Sequence, residues 1–129
     1  MKILAIKKYP YNLYEDIYDI TLEDNGTIST FSVTKENKWG SIKKKPFLGH
    51  YIDVIETINN EATIRNYVCD DQSRESAIAE VKKRHLEIYW NGDEKEFTKQ
   101  TITYLHIHRQ VDETNDYVAW TGEQGGKSQ

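Results

Sequence analysis

The chain has 129 residues, a net charge of −4 and a single cysteine, Cys69. At this length roughly two thirds of the unfolded surface can be buried, so one core over residues 1–121 is expected without metal or disulfide staples. One cysteine excludes an intramolecular disulfide and suits a reducing cytoplasm; no apolar run approaches the ~20 residues of a membrane span, and the first residues lack a signal-peptide pattern.

The charge is uneven. Between Lys35 and Gly49, five lysines against one glutamate give +4 and leave −8 for the rest. Lysine outnumbers arginine 13 to 4, and Ile, Asn and Tyr are frequent. This is the vocabulary of AT-rich coding sequences such as those of low-GC bacteria, their phages and mobile elements.

Lys2 to Lys8 is predicted as a first strand, ended by Pro10. Tyr9 to Tyr18 then crowds four tyrosines among acidic and amide residues without a period. It reads either as a loop sealing one end of the core or as a contact surface, because tyrosine supplies rigid amphipathic area. Asn25-Gly26 is the preferred pair for a type I′ hairpin turn, in which both central residues need positive φ. With that turn, Leu22 faces Ser29, Ile20 faces Phe31 and Tyr18 faces Val33, which makes one face of the hairpin apolar and the other polar.

Thr34 to Gly49 is predicted as the longest loop. His50 to Asn59 is predicted as a helix, since Tyr51, Ile52, Ile55 and Ile58 recur at helical spacing. Ala62 to Cys69 alternates as a strand, with Ile64 and Val68 on one side and Arg65, Tyr67 and Cys69 on the other. From Ser73 to Trp90 the pattern is amphipathic: Ala77, Ile78, Val81, His85, Ile88 and Tyr89 share one arc, and Glu80, Lys83 and Glu87 lie opposite. Ser73 is the expected cap, and Asn91-Gly92 the expected stop.

Two further strands are predicted, Thr101 to Val111 and Asp116 to Thr121, before a flexible tail from Gly122. The order β-β-β-α-β-α-β-β implies an α+β two-layer sandwich, a mostly antiparallel sheet of five to six strands with both helices on one face.

Three groups of residues could carry chemistry. In TITYLHIHRQV, Tyr104, His106 and His108 share one side of a strand, expected to face solvent. Two imidazoles at i and i+2, about 6–7 Å apart, are a spacing that metal sites use, although a third ligand has no spacing rule to identify it. The second group is the basic loop, where Lys43, Lys44 and Lys45 adjoin Trp39 and could hold an anionic, nucleotide-type ligand. The third is the helix flank, where Leu86 and Trp90 lie off the main arc and could dock a partner.

There is no glycine-rich phosphate loop, no Gly-x-Ser-x-Gly elbow, no paired-cysteine zinc motif and no arginine-rich helix. No catalytic residue, metal ligand or cofactor is therefore assigned. The chain reads as a small non-enzymatic binding protein, an accessory or inhibitor protein of a phage or mobile element acting on another protein or on a second copy of itself. A binder of an anionic nucleotide-type ligand is the alternative, and a small metal-dependent hydrolase using His106 and His108 the third. The acidic body disfavours nucleic acid, and no membrane partner is expected.

Overall fold

A computed structural model describes residues 2–36, 48–59, 61–71, 73–109 and 115–121. Its elements are β1 (Lys2–Pro10), β2 (Glu15–Asp24), β3 (Thr27–Glu36), β4 (His50–Ile58), β5 (Glu61–Cys69), α1 (Arg74–Trp90), α2 (Glu94–Gln100), β6 (Ile102–His108) and β7 (Asn115–Thr121). The strands form two antiparallel sheets, in the orders β1-β2-β3 and β5-β4-β6-β7. The α+β class, the antiparallel pairing and the placing of both helices on one face of a sheet hold; the strands, however, divide between two sheets, and the element order differs.

The β2–β3 hairpin follows from its turn. Asn25 and Gly26 have φ of 52° and 83°, as type I′ requires. The register then sets Leu22 opposite Ser29, Ile20 opposite Phe31 and Tyr18 opposite Val33. Tyr18, Ile20 and Leu22 turn inward and bury against Ile55, Ile102 and Tyr104 of the four-stranded sheet. Burying Ile20, Leu22 and Ile55 stabilises the inter-sheet contact by about 1.5–3 kcal/mol per side chain.

The opposite face of the four-stranded sheet receives α1. Ala77, Val81 and His85, at i, i+4 and i+8, are its buried residues, and the first two meet Ile52, Val54, Tyr67, Cys69, Leu105 and Ile107. Ser73 caps the helix, its side chain accepting from the Ser76 N–H, and Asn91 closes it in the left-handed conformation. In the last turn the arc loses its cover: Ile88 is 60% exposed, while Trp90, outside the arc, packs on Phe97 of α2.

Two assignments are corrected. His50 to Ile58 is a strand, not a helix. Layers cover both of its faces, so every residue through Thr57 is buried and the run of apolar side chains shows no alternation; the β-branched content of Ile52, Val54, Ile55 and Thr57 was the better indicator. Residues 94–100, unassigned in the sequence, form α2, whose signal was local: Asp93 caps it by accepting from the Glu96 N–H, and Phe97 is its one buried residue.

Gly26 has nothing within 4 Å of a built Cβ, so the cost of a side chain there is purely conformational. Gly26→Ala is expected to lower unfolding free energy by about 1–2 kcal/mol in urea melts, with the hairpin register retained.

Candidate functional site

β4 carries one carboxylate into each of the two interfaces beside it. Asp53 points toward the three-stranded sheet and Glu56 toward the helices.

Asp53 is the hub of a buried polar cluster. Lys35 of β3 donates from Nζ to Oδ2 at 3.4 Å, and Asn66 of β5 donates from Nδ2 to Oδ1 at 2.6 Å. The Tyr18 hydroxyl lies 3.3 Å from Oδ2 and 3.1 Å from His106 Nδ1. His108 Nε2 stands 3.4 Å from the same Oδ2. Register explains the convergence, because Asp53 is the direct cross-strand neighbour of both His106 and Asn66. Tyr117 of β7 stacks on His106 at 4.4 Å, and His106 stacks on His108 at 4.6 Å, which forms a column of three rings.

Burial alone would raise the Asp53 pKa, but the hydrogen bond from His108, the Lys35 charge and the Asn66 amide outweigh it and hold the carboxyl well below its ordinary value. Tyr18 is pushed far the other way, first by burial and then by the Asp53 charge. Its hydroxyl therefore keeps its proton and acts as a bridge between the sheets.

The expected placement of Tyr104, His106 and His108 on a solvent face is corrected. All three are buried, because the three-stranded sheet covers that side of β6. Donor atoms of Asp53, His106 and His108 lie within 4.8 Å of one another, the reach of a two-histidine, one-carboxylate metal site. Two features weigh against an ion there. The Lys35 ammonium already sits against Oδ2, and the imidazole planes are only 21° apart, so their in-plane lone pairs do not converge on one point. The arrangement favours a hydrogen-bonded charge cluster.

His85 belongs to the other interface. Its Nε2 is 2.7 Å from Glu56 Oε1 and its Nδ1 2.7 Å from the Tyr67 hydroxyl. The Glu56 carboxyl oxygen accepts from Nε2–H, and Tyr67, pushed up to about 12 mainly by burial, keeps the proton it donates to Nδ1. Tyr67, Tyr89, Phe97 and Trp120 surround the imidazole at centroid distances of 5.2–5.9 Å. Both ring nitrogens are satisfied within an aromatic enclosure, and the four-stranded sheet separates His85 from His106.

The other candidates from the sequence are distributed as follows. Leu86 and Trp90 are half-buried, with Trp90 covered by α2. Trp39, Lys43, Lys44 and Lys45 lie outside the described residues.

Among the described residues, the tip joining β1 to β2 carries the most exposed large apolar side chains. Tyr11, Leu13 and Tyr14 are 61%, 88% and 74% exposed. The tip is nevertheless ordered by its own hydrogen bonds. Asn12 Oδ1 accepts from the N–H groups of Tyr14 and Glu15, its Nδ2 donates to Glu15 Oε1, and the Tyr11 and Asn12 N–H groups donate to the Glu15 carbonyl. The cluster of tyrosines was visible in the sequence; the asparagine turn that makes them a fixed display was not.

Comparison with protein-family models, with curated proteins and with solved structures finds no match. Among the described residues, no helix is long and apolar enough to cross a membrane.

Removing the ammonium from the hub leaves a buried carboxylate without its cation. Lys35→Met is expected to cost about 3–5 kcal/mol, and adding Asp53→Asn to recover part of that loss in a double-mutant cycle. The depressed Asp53 pKa also sets a direction with pH. Its stabilising contribution is whole above the unfolded carboxyl value near 3.8 and is lost as pH falls below it, so Asp53→Asn should flatten the acid limb of a stability–pH curve.

Proposed function

We propose that this is a small non-enzymatic binding protein, an accessory or inhibitor protein, whose β1–β2 tip is the surface that meets another protein. The observation that carries this reading is the display of Tyr11, Leu13 and Tyr14 on a turn fixed by Asn12. Large apolar side chains held in water gain most by being covered, and a pre-ordered turn loses little entropy when they are. Tyrosine is enriched among the residues that dominate contact energetics. The polar clusters support the same reading from the inside: their groups are buried and mutually satisfied, which suits a scaffold better than a site open to substrate. The lone buried thiol of Cys69 supports a reducing cytoplasm, and the AT-rich vocabulary supports a phage or mobile-element origin.

The test is the double variant Leu13→Asp with Tyr14→Ala, compared with the natural chain by quantitative co-purification from source cells and by light scattering. At about 2 kcal/mol per anchor, retention of the partner is expected to fall at least tenfold while the melting temperature is unchanged. A dimer that the variant turns into a monomer would make the partner a second copy. Equal retention and equal mass for the two proteins would remove the tip from the interface.

A further inference from the structure

β7 stands at the edge of the four-stranded sheet yet has the character of an interior strand. Val118 and Trp120 pack on the cluster beneath α1, and Tyr117 and Ala119 on the cluster between the sheets. Apolar side chains therefore leave both of its faces, as they do on β4, but each is only half-buried where those of β4 are covered. β4 has a strand on either side; among the described residues β7 has β6 alone.

The other three sheet edges are occupied or guarded. β1 carries Lys7, Lys8 and Pro10 and a register shift between Ile3 and Ala5, features that blunt an open edge. β3 packs beside β5, and the Val68 carbonyl of β5 accepts from Arg84. β7 holds neither lysine nor proline, and its one charged residue, Asp116, is paired with Arg74 of α1. Its pairing with β6 is regular from Asn115 to Ala119 and shifts only beyond, before Thr121. Tyr117 stacks on His106 of β6 at 4.4 Å, close to the ~4.8 Å between neighbouring strands, and among the described residues no ring covers its other face.

We propose that β7 pairs antiparallel with β7 of a second copy of this chain about a two-fold axis at Tyr117, joining the two four-stranded sheets into one of eight strands. This register uses the whole regular stretch, setting Asn115 opposite Ala119 and Asp116 opposite Val118, so no like charges meet. Each Tyr117 ring then meets its copy one strand spacing away and extends the stack on His106 across the axis. The apolar side chains on both faces of β7 are covered by the same two layers continued in the other copy, which is why a second copy fits this edge: a two-fold contact is self-complementary. Tyr11, Leu13 and Tyr14 belong to the other sheet and take no part in the strand pairing.

The test is the native mass of the full chain by light scattering over about a hundredfold range of concentration, with amide hydrogen exchange followed at the same concentrations. The mass is expected to rise from 15.1 kDa toward twice that value, and the β7 amides to gain protection with it while those of β1 do not. Tyr117→Lys and Tyr117→Glu each set like charges face to face at the axis and should weaken the dimer about tenfold or more. An equal mixture of the two should restore it, a rescue that an unfolded chain would not show. Leu13→Asp with Tyr14→Ala should stay dimeric. The proposal is overturned by a mass of 15.1 kDa at every concentration, by Lys and Glu variants that dimerise as the natural chain does, by folded variants whose mixture stays monomeric, or by loss of the dimer in the tip variant.

Discussion

The strand β4 has no face turned to water, and the rest of the structure is arranged around that constraint. Helices cover one side and a second sheet covers the other, so any polar side chain on β4 must find its partners inside the protein. Asp53 and Glu56, three residues apart and therefore on opposite faces, each do so through histidine and tyrosine. On one side the result is a charged hub tied to Lys35; on the other it is a linear Glu56–His85–Tyr67 chain inside aromatic rings. A carboxylate left without such partners at either position would oppose the closing of the layers, so the two clusters select which layer lies on which face. Hydrophobic burial supplies most of the stabilisation, and the polar groups supply the register.

How much of this was legible depends on what each signal measures. The β2–β3 hairpin was readable residue by residue, because Asn25-Gly26 fixes the turn and the alternation fixes the face. Helix α1 was readable because Ser73, the apolar stripe and Asn91 agree. β4 was not, since periodicity reports a contrast between wet and dry faces and β4 has none. The same cause hid the histidines: alternation put His106 and His108 on the polar side of β6, and only knowledge of the second sheet makes that side an interior. Short α2 failed for want of length, with Phe97 alone to mark a buried face.

The candidate docking tip lies away from these interior clusters. The tyrosine tip belongs to the outer sheet, where a hairpin turn can change sequence without disturbing the layers. Arg65 on the edge strand β5 and Arg84 on α1 each lie over a tyrosine, Tyr89 and Tyr67, whose ring packs on His85.

Cys69 ends β5 on the same helix-facing side as Tyr67, buried and the sole thiol of the chain. Because it is unique, covalent modification of the protein by a thiol reagent has a single address, and because it is covered, reaction must wait for β5 and α1 to part. The rate of that reaction is therefore a clock for local opening of this one junction, requiring no engineered label.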